Sequence, residues 1–120
     1  MVEDEDSVRE LAHRILLSEG YLVLEAPNGE KALRVSEGYA GPIHLLLTDI
    51  VMPGGMSGRQ LADCLSELRP QMNILYMSGY TDDAIVHHGV LDADIAFLQK
   101  PFTFDTLMHK VREVLDTQAV

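Results

Sequence analysis

The chain has 120 residues, 47% hydrophobic and 23% charged, which sizes it as one domain with a single core. Its net charge of −10 argues against a nucleic-acid surface, because phosphate contacts need a basic face. No apolar run approaches the roughly 18 residues of a membrane span and no signal peptide is visible, so no membrane role and a cytoplasmic location are expected. The lone cysteine, Cys64, excludes an internal disulfide and fits a reducing compartment.

The chain begins with an acidic run, "EDED" at Glu3 to Asp6. Asp6 or Ser7 can cap a helix that turns Val8, Leu11, Ala12, Ile15 and Leu16 inward and stops at Gly20. "YLVLEA", Tyr21 to Ala26, is strand-like. "PNGEKALRVSEG" is a turn, a short helix and a stop, with Ala32, Leu33 and Val35 inward. Ile43 to Asp49 is a short apolar run, the pattern of a buried strand. Ser57 starts a helix that uses Leu61, Cys64, Leu65 and Leu68 and ends before Pro70, so Cys64 is expected to be packed.

Asn73 to Ser78, "NILYMS", is the next strand. "TDDAIVHHG" is a short helix capped by Thr81, with His87 and His88 in solvent. Ile95 to Gln99 is the last strand, followed by Lys100 and Pro101. Thr103 or Asp105 opens a final helix to about Asp116, with Leu107, Met108, Val111, Val114 and Leu115 inward. This alternation predicts one α/β domain over residues 1–120, a parallel sheet with helices on both faces.

Right-handed crossovers bring the strand C-termini to one edge, where ligands bind in such folds. Glu3, Asp4, Asp49, Ser78 and Lys100 all fall at strand ends. A carboxylate ending a buried strand is costly to desolvate, so Asp49 needs a partner. Three clustered carboxylates repel unless a cation joins them, and Mg²⁺ suits oxygen ligands. The set then reads as a phosphoryl-transfer site: Asp49 attacks, Lys100 and the metal hold the equatorial oxygens, and Ser78 hydrogen-bonds the attached phosphate.

Five signals in order carry a resemblance: Glu3-Asp4, Asp49, Met52-Pro53 with Gly58, "MSG" at Met77 to Gly79, and "KPF" at Lys100 to Phe102. The chain resembles the receiver domains of two-component response regulators, closest to the receiver modules of hybrid sensor kinases. The resemblance implies a flavodoxin-like, doubly wound, five-stranded sheet of order 2-1-3-4-5. It implies that Asp49 accepts phosphate from a histidine kinase or phosphotransfer protein, or from a covalently linked kinase domain. Mg²⁺ would be held by Glu3, Asp4, Asp49 and the backbone carbonyl of Val51. Lys100 would pair with the phosphate, Ser78 would turn toward it, and Phe97 would be the aromatic switch. The Lys100–Pro101 bond would be cis. Output would leave through the fourth helix, fifth strand and fifth helix, and a homodimer is left open.

Three features depart from the family pattern. The loop from Pro53 to Gly58 is one residue longer than the common form. Only Met1 and Val2 precede the acidic pair, so the first strand is expected to be short or missing. Val51 and Tyr80 are bulky neighbours of the phosphate position, which should slow dephosphorylation. A phosphate-independent interaction scaffold is the main alternative. A turnover phosphatase is disfavoured, because an acid two residues after the nucleophile is replaced by Val51.

Overall fold

The computed structural model describes residues 1–50, 56–78 and 96–117, apart from the side chains of Ser78 and Thr117. The elements are α1 (Asp6–Ser18), α2 (Gly29–Gly38), β1 (Leu45–Asp49), α3 (Gly58–Leu68), β2 (Asn73–Ser78), β3 (Ala96–Gln99) and α4 (Phe104–Thr117). The expected helix from Thr81 to Gly89 lies outside the described residues. No described helix is long and apolar enough to cross a membrane.

The three strands pair in parallel in the order β1-β2-β3. β1 and β2 run in register from Leu45↔Asn73 to Asp49↔Met77, and β2 and β3 from Leu75↔Ala96 to Ser78↔Gln99. Val2 bridges both Ala26 and Thr48, also in parallel. The segments therefore lie in the order Ala26, Val2, β1, β2, β3, which is the flavodoxin-like sequence 2-1-3-4-5 with a vestigial first strand.

Successive residues of β1 point to opposite faces, and the core divides accordingly. Leu46 packs with Ala32, Leu61, Ala62, Leu65 and Tyr76, beneath α2 and α3. Leu47 packs with Ile15, Leu16, Leu75, Leu107 and Val111, beneath α1 and α4. With both faces covered, β1 is apolar on consecutive positions rather than alternating ones.

The strand expected over Tyr21 to Ala26 forms no ladder; only Ala26 is bridged. An edge strand needs its one neighbour, and here the neighbour pairs through Val2 alone. Pairing runs as far as it has a partner: Ala26 N–H donates to Met1 O at 3.0 Å, and the Met1 ammonium to Leu24 O at 2.7 Å. Beyond that point a cavity of about 340 Å³ opens between the two faces, lined by Val23, Val35, Ile43, Leu45, Leu47 and Val111 among others.

Local rules explain most helix ends. Gly20 takes φ 89°, with its N–H bonded to Leu17 O and that of Tyr21 to Leu16 O, the glycine-terminated stop expected for α1. Asn28 and Ser57 cap α2 and α3 through their side chains. α1 departs from expectation: its N-cap is Glu5, with no side-chain cap bond, instead of Asp6 or Ser7.

Two inward stripes are also corrected. α3 buries Gly58, Leu61, Ala62 and Leu65, while Cys64 is exposed and Leu68 is 65% exposed. The small residues Gly58 and Ala62 join the buried face, which turns the helix roughly 60° from the orientation its bulkiest residues suggest. In α1, Leu11 is 48% exposed at the margin of a stripe centred on Ala12, Ile15 and Leu16.

Candidate functional site

The C-terminal ends of the strands converge on one buried carboxylate. Asp49 ends β1 and is 2% exposed. Its N–H donates to Val2 O at 3.3 Å, so even the single paired residue of the first strand fixes its position. Glu3 follows that residue directly and is fully buried. Its N–H donates to Ala26 O at 3.1 Å, and its Oε2 accepts from Glu5 N–H at 3.1 Å. The backbone that holds Val2 in the sheet thus delivers Glu3 beside Asp49.

Lys100 reaches the pair from the end of β3, just before a cis peptide bond to Pro101. Its Nζ lies 2.5 Å from Asp49 Oδ1 and 2.6 Å from Glu3 Oε1. The Glu3 contact is an ion pair without hydrogen-bond geometry at Oε1, and Asp49 Oδ2 is buried with no hydrogen-bond partner. Burial, the Glu3 contact and the Glu3 charge push Asp49 up to about 8, against the pull of Lys100. Burial also opposes the charge on Glu3, but its contacts to Asp49, Lys100 and the Glu5 N–H outweigh it and bring the group to about 2. Lys100 is raised: burial works against its charge, and the two carboxylates overcome that.

Asp4 is exposed, yet oxygens of Glu3, Asp4 and Asp49 all lie within 4.8 Å of one another. An all-oxygen set with one orphaned buried carboxylate oxygen fits a hard divalent cation such as Mg²⁺. Ser78 ends β2 one residue beyond Met77, the partner of Asp49 in the ladder, so its backbone stands at the same edge. Phe97 is half-buried in β3, opposite Tyr76, and packs against the cluster under α2 and α3. Val51, the proposed carbonyl ligand, and Tyr80 lie outside the described residues.

Two supporting residues escaped the sequence reading. Arg9 Nη1 donates to Glu3 O at 2.8 Å while Nη2 holds Asp6 at 2.5 Å, tying the acidic turn to α1. Thr48 Oγ1 donates to Asp49 O at 3.1 Å. Arg9 sits one helical turn after the acidic run, and that spacing was the available signal.

The family model for the response regulator receiver domain matches residues 1–112. The chain is 39% identical over 118 residues to the sensor kinase CckA of Brucella abortus, covering 98% of this chain and 12% of that protein. It is 33% identical over 116 residues to the response regulator receiver protein CpdR of the same organism, covering 96% of this chain and 93% of that one. Among solved structures it superposes on the receiver domain of the hybrid histidine kinase CckA with a TM-score of 0.78 at 35% identity, over 95% and 94% of the two chains. A receiver protein from Sinorhizobium medicae gives 0.81 at 30% identity, over 98% and 92%. The ordered strands, the acids at their ends and the match over residues 1–112 agree: the chain belongs to the response regulator receiver domain family.

Proposed function

We propose that this receiver domain accepts a phosphoryl group on Asp49 from the phosphohistidine of a histidine kinase or phosphotransfer protein. The observation that carries the reading is the free Oδ2 of Asp49, buried beside an ammonium that already holds Oδ1. In the transfer, Oδ2 of the ionised Asp49 forms a bond to phosphorus as the phosphorus–nitrogen bond breaks, and the imidazole departs neutral with the bond pair on one nitrogen and its proton on the other. Lys100, placed to bridge Glu3 and Asp49, pairs with the phosphoryl oxygens as charge builds on them.

Glu3, Asp4 and Asp49, with the carbonyl of Val51, would hold Mg²⁺, which when bound neutralises the acids and polarises the phosphoryl group. Ser78 hydrogen-bonds the attached phosphate, and Phe97 follows it inward by packing alone, since it has no hydroxyl. The result is a shifted equilibrium between two conformations of the output face rather than repeated turnover. Similarity to the receiver of a hybrid kinase supports a phosphorelay role, with a linked or separate kinase as donor.

The deciding experiment is incubation with acetyl phosphate or beryllofluoride, with and without Mg²⁺. Wild type should gain one phosphoryl group per chain by mass only when Mg²⁺ is present, and Asp49→Ala should gain none. Equal labelling of the two proteins would refute the assignment. A wild type that binds Mg²⁺ and is never labelled would favour a phosphate-independent scaffold.

A further inference from the structure

The first residue of α3 sits against the backbone of the phosphoacceptor. Gly58 is buried, and its N–H donates to Ile50 O at 2.8 Å. A Cβ at this position would stand 1.7 Å from the carbonyl oxygen of Asp49, 2.8 Å from its carbonyl carbon and 3.1 Å from Ile50 Cα. All three are main-chain atoms and cannot rotate aside. The backbone of Gly58 lies in an ordinary conformation, so closeness alone demands glycine here.

Neither side of this contact yields easily. The start of α3 is fixed by a reciprocal cap: Gln60 N–H donates to Ser57 Oγ at 3.2 Å, and Ser57 N–H to Gln60 Oε1 at 3.0 Å. On the other side, Asp49 N–H is tied to Val2 O and Ile50 N–H to Met77 O. The α3 start therefore acts as a stop against which the end of β1 seats.

We infer that Gly58 is a positioning residue: its missing side chain sets where the Asp49 carboxylate stands relative to Glu3, Asp4 and Lys100. The consequence for phosphorylation rests on the reading of Asp49 as phosphoacceptor. The consequence for Mg²⁺ binding rests only on the cluster of acids.

The test compares Gly58→Ala with Gly38→Ala in the full chain. Gly38 has nothing within 4 Å of an added Cβ, so the same methyl there meets open space. The readouts are the Asp49 carboxyl carbon shift in metal-free protein and a Mg²⁺ titration followed by NMR. Gly58→Ala should move the shift and weaken Mg²⁺ binding by about 10-fold, while Gly38→Ala changes neither. A folded Gly58→Ala with wild-type shift and affinity overturns the inference. If Gly58→Ala does not fold, Ser57→Ala decides: it loosens the α3 start and should weaken Mg²⁺ about threefold, and an unchanged affinity overturns the inference. A wild type that binds Mg²⁺ but takes no phosphoryl group defeats the phosphoacceptor reading and leaves the Gly58 comparison intact.

Discussion

Asp49, buried beside Glu3, costs the fold stability once it is ionised. Its folded pKa of about 8 stands above the ordinary 3.8, so between those values the folded state holds a proton that the unfolded state has released. Its contribution is therefore full below pH 3.8 and is lost as pH rises toward 8. Glu3 runs the other way: lowered from 4.5 to about 2, it stabilises the fold above pH 4.5 and fails only as pH falls toward 2. In chelator, the Tm should drop by about 4 °C or more between pH 5 and pH 8. Asp49→Asn should flatten that drop, and Mg²⁺ should restore the wild type at pH 8; a flat wild-type profile would contradict the shift. The members of this site were legible because residue type at a strand end announces chemistry. Thr48 and the backbone seat at Gly58 were not, because they act on main-chain atoms, and Arg9 was marked only by its spacing from the acidic run.

Between elements, one side chain joins α2 to the chain beyond α3. Arg69, the residue after α3, donates from Nε to Ser36 Oγ, from Nη2 to Ser36 O and Tyr39 O, and from Nη1 to Gly41 O. These are acceptors at and just past the end of α2, where a cation is favoured. Arg69→Ala should cost about 2 kcal/mol in urea unfolding, since hydrogen bonds to a charged group are the stronger kind. Arg69→Lys should recover less than half, because an ammonium cannot span the same fork. An Arg69→Ala midpoint within error of wild type would show the clasp to be idle. Helix positions were readable from apolar spacing, whereas helix rotation was not. Cys64 and Leu68 looked inward until Gly58 and Ala62 proved to face the sheet, and smallness leaves no hydrophobic signal.

For the whole molecule, layering followed from the alternation of apolar strand runs with helices, and strand order from the family resemblance that the five motifs carry. The loss of the Tyr21 to Ala26 strand did not, because its β-propensity is a local property and its pairing depends on a distant neighbour. That loss leaves the 340 Å³ cavity between apolar walls. Compression favours whichever state occupies less volume, and a chain that fills such a hollow on unfolding gains by it. The protein should therefore lose stability under hydrostatic pressure. High-pressure tyrosine fluorescence would measure it, and an unfolding midpoint unmoved by pressure would mean that the hollow closes in solution.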